Sequence, residues 1–362
     1  MIPLSLRDFG CIQLQLNNPS DQMIVERGFK SAVEAMDFMK ENKGSMNGTD
    51  CKPIPLLTKT DDAQHATGYH PANSASLSRY NIHREGFVFS DSNLFDTNID
   101  DSIFSFRDDM IAMRGILHKL AINAWHMLEE EVMEYMVNKN EKHDISNEEF
   151  ECFRSQFFAK DESEQDMEKH SQWHIKRYDY HDKSNCTIHG ELDTQSEEKE
   201  RLLLGSHTDP SLLSVVIHDN PNNSIGCRGL EILDNENSID SLKKWIELPQ
   251  HGHKVYTVLI GGAMARLLSE GKFKPCLHRV NAKGAGMKGQ WFNSSIDAPR
   301  VVATYFLRPS PKTILSPINL SYDAISQNSR SGFKSKLPRS KRPISFHDWC
   351  ARTSKNYSKS KR

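Results

Sequence analysis

One polar interruption breaks an apolar stretch of this 362-residue sequence. The stretch LLLGSHTDPSLLSVV covers residues 202–216, and its leucines and valines surround His207-Thr208-Asp209. Side chains alternate along a strand, so the imidazole of His207 and the carboxylate of Asp209 are expected on the same side. A buried carboxylate is costly without a partner, and a metal ion would satisfy both groups. The spacing therefore indicates a metal site or, in the simpler interpretation, a hydrogen-bonded pair in the core.

A metal site needs a third protein ligand from another segment of the chain. The best candidate is His278, the histidine centred in the apolar stretch KPCLHRV, 69 residues after Asp209. Two histidines and one carboxylate on one face of a metal, with open positions opposite, form the arrangement of non-haem Fe(II) oxygenases. An HxD pair alone is weak evidence, because the pattern also occurs by chance.

A cation at the start of a later apolar stretch, RVVATYFLRPSP, extends the pattern. Arg300 opens this stretch, where an unpaired guanidinium would be poorly placed. A forked cation at the inner end of a strand suits a carboxylate ligand. On its own, the arginine is better explained as a strand-end residue whose side chain extends to the solvent. Beside the HxD pair and His278, it predicts an anchor for a co-substrate.

The N-terminal half of the sequence is mainly helical in pattern. Residues 21–42 and about 106–139 carry apolar residues at helical spacing, and residues 147–158 suggest a further helix. Residues 43–75 are interrupted by Gly, Pro, Asn and Thr and predict a loop with short strands. The charged stretch 159–172 is expected to be exposed.

The pattern changes at Trp173, after which short apolar runs alternate with turns. Many short strands at even spacing are typical of a sandwich or barrel. The predicted fold is therefore mainly β with a helical N-terminal cap. The predicted regions are a cap at 1–172, a β core at 173–312 and a basic tail at 313–362.

Composition excludes several classes of protein. No run of eighteen apolar residues is present, so no membrane-spanning segment is expected. Arg7 and Asp8 make the N-terminus too polar for a secretory signal. The seven cysteines are scattered without a CxxC pair, which predicts reduced thiols in a cytoplasmic protein.

The end of the chain is strongly basic. Residues 334–362 contain ten Lys and Arg and one acid, Asp348. Such tails can bind nucleic acid, but most are solvated, and the embedded FHDW predicts a helix that packs on the core. Nucleic acid is therefore not an expected partner, although a nucleic-acid-binding protein that uses this tail stays an alternative.

The motifs of residues 173–312 resemble, in order, the core of the isopenicillin N synthase-like, 2-oxoglutarate/Fe(II)-dependent dioxygenases. The resemblance lies in IKRYDYH, HTDPSLLSVV, RGLEIL…KKWIELP, VLIGGAMARLLSEGKFKPCLHRV and RVVATYFLRPSP. The FLRP ending and the later ISFHDWCARTSKNY are most similar to the deacetoxycephalosporin C synthase branch. The resemblance implies a double-stranded β-helix, also called a jelly roll, as the core.

The resemblance also implies cofactors and their ligands. Fe(II) would be held by His207, Asp209 and His278, and O2 would be the oxidant. The distal carboxylate of 2-oxoglutarate would pair with Arg300, and Tyr180 occupies a position that often contacts this co-substrate. Core packing is an equally good interpretation of Tyr180.

Two further residues of the same segment are candidates for substrate binding. Lys176 and Tyr178 alternate with Tyr180, and the cephalosporin-type relatives carry substrate-binding arginines on this strand. The implied activity is oxidation of a small, carboxylate-bearing metabolite, by hydroxylation, desaturation or ring closure, with release of succinate and CO2. A monomer in secondary metabolism is expected.

The sequence departs from the family pattern at three places. Gly262 replaces an aspartate, Val302 replaces the serine of the Arg-x-Ser motif, and the loop between His278 and Arg300 is long and glycine-rich. That loop is either a substrate lid or a simple insertion. Because Val302 cannot help to hold 2-oxoglutarate, an Fe(II) oxidase that does not use this co-substrate stays an alternative, as does a non-catalytic ligand-binding relative.

Overall fold

The computed structural model describes twelve segments of the chain, which are residues 6–41, 68–70, 84–90, 105–140, 164–178, 202–219, 229–234, 244–248, 254–268, 273–281, 300–315 and 343–359. Their helices are α1 (Leu6–Phe9), α2 (Pro19–Glu41), α3 (Phe106–Asn140), α4 (Glu164–His170), α5 (Gly262–Leu267) and α6 (Phe346–Lys359). None of these helices contains a stretch long and apolar enough to cross a membrane.

The strands of these segments form two antiparallel sheets and one short pair. They are β1 (Cys11–Gln15), β2 (Gly68–His70), β3 (Arg84–Ser90), β4 (Gln172–Tyr178), β5 (Leu202–His207), β6 (Leu213–Asp219), β7 (Leu230–Leu233), β8 (Trp245–Glu247), β9 (Val255–Ile260), β10 (His278–Asn281), β11 (Arg300–Leu307), β12 (Ile314–Leu315) and β13 (Ile344–Ser345). The larger sheet has the order β1-β9-β6-β11-β4-β3-β2, and the smaller has the order β5-β10-β7-β8. The predicted class, mainly β with a jelly-roll core, is confirmed.

The larger sheet buries both of its faces, and alternation assigns the side chains to them. On β11, Val301, Ala303 and Tyr305 belong to the core shared with α2 and α3. Val302, between them, belongs instead to a second cluster that includes apolar residues of the smaller sheet. This second cluster, called the inner cluster below, consists of Cys11, Tyr178, Val216, Leu230, Ile232, Leu248, Leu259, Cys276, Val280 and Val302.

The helical predictions are confirmed for the two long N-terminal helices, α2 and α3. The helix predicted at 147–158 lies outside the described residues. The expectation that 159–172 is exposed is wrong for three residues of its second half, because Met167, Ser171 and Gln172 are buried. Glu164–His170 forms α4.

The region predicted as a helical cap also contributes strands. Three of them, β1, β2 and β3, join the larger sheet at its two ends. At the other end of the chain, α6 places Phe346 and Cys350 in the helix-packed core. The boundaries of the three predicted regions stay a prediction.

Gly86 on β3 provides a test of this architecture. Its φ is +143°, and a Cβ there would lie 2.0 Å from the carbonyl oxygen of Ile175 on β4. We expect Gly86→Ala to lower the free energy of unfolding by at least about 1–3 kcal/mol, because strain and steric overlap add. Urea unfolding followed by circular dichroism measures this change.

The matched control is Gly115, in the exposed part of α3. A Cβ at this position meets nothing within 4 Å, and alanine favours a helix over glycine by up to about 1 kcal/mol. Gly115→Ala should therefore be neutral or stabilising. Equal stability of the Gly86 and Gly115 variants would contradict the close approach of β3 to β4.

Candidate metal centre

The HxD motif lies at the end of a strand and in the turn that follows. β5 ends at His207, residues 208–212 form the turn, and β6 begins at Leu213. The expectation of one continuous alternating strand is wrong, because the chain crosses here from the smaller sheet to the larger one. Pro210 has no N–H to donate to a sheet, which favours this break.

Backbone hydrogen bonds fix the turn against the start of α5. The N–H of Gly262 donates to the carbonyl of Asp209 at 2.8 Å, and the N–H of Ala263 donates to the carbonyl of Ser211 at 3.1 Å. A Cβ on Gly261 would lie 2.0 Å from that same Ser211 oxygen. Only glycine permits this approach, so Gly261 lets α5 hold the turn that carries Asp209.

The C-terminal helix reaches the same corner of the molecule. A Cβ on Gly262 would lie 3.2 Å from the indole of Trp349 on α6. Larger side chains at this position would therefore displace the indole. This packing is a structural reason for the glycine that stands where the family pattern has an aspartate.

His278 is brought to the HxD motif by strand pairing. The sequence predicts His278 in the middle of a strand, but β10 begins at this residue, after Pro275 and after the N–H of Cys276 has bonded to Ile260. In the register of the two strands, His278 lies directly opposite His207. The centroids of the two imidazoles are 4.3 Å apart.

The three side chains converge on one small volume. The Oδ1 of Asp209 is 3.4 Å from the Nε2 of His207 and 3.7 Å from the Nε2 of His278. Ligand atoms of all three residues lie within 4.8 Å of one another. The structure therefore brings together the three residues that the sequence predicts as iron ligands.

Hydrogen bonds on the far side of each ring set its tautomer. The Nδ1 of His207 lies 2.9 Å from the carbonyl oxygen of Gly205, and the Nδ1 of His278 lies 3.1 Å from that of Cys276. A carbonyl only accepts, so each Nδ1 carries the proton. In the neutral rings, both Nε2 lone pairs then point toward Asp209, as in metal-ligating histidines.

Electrostatics keep His278 and Asp209 in metal-binding form at neutral pH. Burial and the neighbouring His207 lower the pKa of His278 to about 4, against the opposing effect of Asp209. Burial raises the pKa of Asp209, but the two histidines and a hydrogen bond from Ser214 outweigh burial and hold it well below its usual range. Neutral imidazoles and an ionised carboxylate are the forms that bind a metal.

An unsatisfied oxygen supports a bound cation. The Oδ2 of Asp209 is buried and has no hydrogen-bond partner among the described residues. An orphaned carboxylate oxygen is costly, and here it sits beside two imidazole lone pairs. A divalent metal would pair with the carboxylate and with both imidazole lone pairs. Two histidines with one carboxylate suit Fe(II).

The other predicted site residues lie on neighbouring strands or outside the described residues. Arg300 is the first residue of β11, and its backbone lies opposite Tyr178 of β4. Tyr178 belongs to the inner cluster, and by alternation Lys176 faces the same way. Tyr180 lies outside the described residues.

Ser214 is a site residue that the sequence analysis missed. Its hydroxyl lies 2.8 Å from that of Ser211 and contributes a hydrogen bond to Asp209. Since this proton goes to the carboxylate, Ser211 donates to Ser214 in turn. The available signal was a small polar residue in the apolar strand LSVVIHD, five residues after Asp209.

The model of the 2OG-Fe(II) oxygenase superfamily matches residues 174–309 of this chain. The match contains the whole smaller sheet, strands β6, β9 and β11 and most of β4 of the larger sheet, and all three candidate iron ligands. Residues 174–309 therefore form a 2OG-Fe(II) oxygenase domain, of a family that uses Fe(II), 2-oxoglutarate and O2, and the family predicted from the sequence for this part of the chain is confirmed. The protein is accordingly a non-haem iron dioxygenase.

Solved structures share the fold at low sequence identity. A full-length protein of Neurospora crassa, crystallised in complex with alpha-KG, has a TM-score of 0.55 at 16% identity, over 97% of this chain and 88% of that one. A putative 2OG-Fe(II) oxygenase family protein from Caulobacter crescentus has a TM-score of 0.55 at 15% identity, over 98% and 92%. The rice dioxygenase for auxin oxidation has a TM-score of 0.53 at 16% identity, over 97% and 87%.

No curated protein matches the chain. The particular likeness to the deacetoxycephalosporin C synthases stays a prediction.

The three converging side chains generate a direct prediction. We expect His207→Ala, Asp209→Ala and His278→Ala each to weaken Fe(II) binding by more than the roughly 10–100-fold that the loss of an outer partner costs. Anaerobic titration of the apo-protein with Fe(II) measures the affinity. His126→Ala, on the partly exposed face of α3, is the control and should bind iron normally. A triad variant with unchanged affinity would remove that residue from the site.

Loss of the Ser214 hydroxyl should weaken iron binding less than loss of a candidate ligand. Ser214→Ala removes a hydrogen bond to a metal-binding carboxylate, so iron affinity should fall by about 10–100-fold while the three candidate ligands remain. The same anaerobic titration measures this change, with Ser31→Ala, in a buried hydrogen bond to Asp109 far along the chain, as the control. Unchanged affinity in Ser214→Ala would show that the hydroxyl does not support Asp209.

Proposed function

We propose that this dioxygenase couples the decarboxylation of 2-oxoglutarate to the oxidation of a small metabolite, with release of succinate and CO2. The observation that carries the proposal is the buried convergence of His207, Asp209 and His278. In this proposal, these three side chains hold Fe(II), and Arg300 and Tyr180 contact 2-oxoglutarate.

The bound iron would supply the activation of O2 that the side chains cannot provide. The protein's own residues do the positioning. The Nδ1 hydrogen bonds of His207 and His278 hold the imidazoles in the ligand tautomer, and Ser214 orients the carboxylate of Asp209. Two histidines and one carboxylate would leave further positions on a bound Fe(II) open for small molecules.

Substrate choice depends on the side chains that face the interior beside this centre. We propose Lys176 and Tyr178 of β4 as substrate-binding residues, because they lie on the face that carries the inner cluster. The Neurospora crassa protein has also been crystallised with alpha-KG and thymine, and JOX2 with 2OG, Fe and JA, so similar folds hold small molecules. The proposed substrate is a small, carboxylate-bearing metabolite that undergoes hydroxylation, desaturation or ring closure.

One observation favours a second candidate. Val302 belongs to the inner cluster and offers no hydrogen-bonding group at the position where the family has serine. An Fe(II) oxidase of the isopenicillin N synthase type, which needs no 2-oxoglutarate, would tolerate this change. Arg300, at the start of the same strand, favours the 2-oxoglutarate-dependent candidate.

The proposed setting is that of a monomeric cytoplasmic enzyme of secondary metabolism, without a nucleic-acid or membrane partner. The scattered cysteines support the compartment. The packing of Phe346 and Cys350 in the core supports a structural role for part of the basic tail.

Anaerobic addition of Fe(II) and 2-oxoglutarate to the apo-protein tests the proposal. The wild type should develop the weak visible charge-transfer band of an iron–2-oxoglutarate chelate. Arg300→Ala should lose the band at matched concentrations, since the distal carboxylate loses its cation, whereas Arg352→Ala, on the exposed side of α6, should keep it. Iron binding without the band in the wild type would overturn 2-oxoglutarate use and favour the oxidase.

A further inference from the structure

Lys176 is a buried lysine whose amine lacks a partner. The residue is 6% exposed, and its Nζ has no hydrogen-bond partner among the described residues. Ammonium groups are rarely buried unless they are paired, because the loss of hydration is costly. An anion from outside the chain would pair with the buried amine and offset this cost, so the site suits a bound anion.

Strand register places this amine in the interior, next to the co-substrate anchor. Lys176 on β4 lies directly opposite Val302 on β11, and Tyr178 lies opposite Arg300. Tyr178 and Val302 both belong to the inner cluster, so Lys176 faces the space between the two sheets. Lys176 therefore lies two residue pairs along the sheet from the pair of Tyr178 and Arg300, on the same face.

The described surroundings of Lys176 contain positive charge and no compensating acid. Burial and the positive charge of Arg84 both lower the pKa of Lys176 well below its usual range. Arg84 lies opposite Tyr178 on β3, and therefore on the same face of the sheet. By contrast, the neighbouring Arg177 faces the other way and is paired with Glu85 and Asp37.

We propose that Lys176 binds the distal carboxylate of 2-oxoglutarate together with Arg300. This inference rests on the proposed function, and it assigns Lys176 to the co-substrate and leaves Tyr178 for the primary substrate. Side chains directly opposite each other on paired strands lie about 4.5–5.5 Å apart at Cβ, and lysine adds a flexible four-carbon stem. The amine thus reaches the space above Val302, where the side chain itself offers only methyl groups.

The arrangement explains two features together. An apolar residue in the carboxylate subsite would leave one side of the anion without a donor. Lys176 supplies a donor from the next strand, and the bound anion would stabilise its protonated form. Conversely, the carboxylate supplies the counter-charge that the described residues do not provide. Lys176 on β4 would therefore take over the role of the serine that Val302 replaces on β11.

The test compares Lys176→Met with Lys176→Arg and with Lys30→Met, a control on the exposed face of α2. Anaerobic titrations give the Kd for Fe(II) and, separately, the Kd for 2-oxoglutarate of the iron-loaded protein. We expect Lys176→Met to weaken 2-oxoglutarate binding by about 10- to 100-fold, the equivalent of a lost charged hydrogen bond. Iron affinity should not change, and the control should match the wild type.

Two further readouts separate this role from a structural one. Because the unpaired amine is costly in the free protein, Lys176→Met should leave the Tm unchanged or raised. Val302→Ser in the Lys176→Met background should recover part of the lost affinity, and Lys176→Arg should keep most of it.

Three results would overturn the assignment. An unchanged Kd for 2-oxoglutarate in Lys176→Met, with a changed response to the primary substrate, would assign the amine to that substrate. A lower Tm with parallel loss of iron binding, or failure of the variant to fold, would make Lys176 structural. If the wild type binds iron but not 2-oxoglutarate, the proposed function is wrong as well. If the wild type binds both normally and Lys176→Met does too, only the assignment of Lys176 is wrong.

Discussion

The buried carboxylate of Asp209 is the group on which the rest of the site depends. It faces two imidazole nitrogens at 3.4 and 3.7 Å, and the rings carry their protons on the far side. Without a cation, lone pairs and a negative charge would share one buried corner, and Oδ2 would lack a partner among the described residues. A divalent metal turns this unfavourable cluster into a stable one.

The candidate metal site lies where the chain passes from the smaller sheet to the larger one. Strands β5 and β10 place the two histidines directly opposite each other, while the turn after β5 carries Asp209 toward the larger sheet. That turn is fixed by the start of α5, and Gly261 permits the close approach. Trp349 from the C-terminal helix packs against Gly262 behind it. Elements far apart in the sequence therefore fix one carboxylate.

Much of the site could be predicted from the sequence, because residue type and local spacing carried the information. His207 and Asp209 interrupt an apolar run, and His278 is a histidine within another, so each stood out without knowledge of the fold. The helices at 19–41 and 106–140 were predictable because the helical period is long and regular. The metal ligands were thus visible as exceptions to a hydrophobic pattern.

Features that depend on register or on contacts between distant segments were not predictable. The pairing of Lys176 with Val302, and of Trp349 with Gly262, requires knowledge of which strands and helices adjoin. The turn at Asp209 was mistaken for a strand, because runs of apolar residues flank it on both sides. Ser214 was overlooked, since a serine in a strand has no distinctive pattern until its carboxylate partner is located.

An anaerobic crystal structure of the full chain with Fe(II) and 2-oxoglutarate would test the central claim most directly. The account predicts one iron ion coordinated by the Nε2 of His207, an oxygen of Asp209 and the Nε2 of His278, with 2-oxoglutarate chelated on the open side. Iron bound elsewhere, or a metal-free corner in which a proton joins Asp209 to an imidazole, would contradict it.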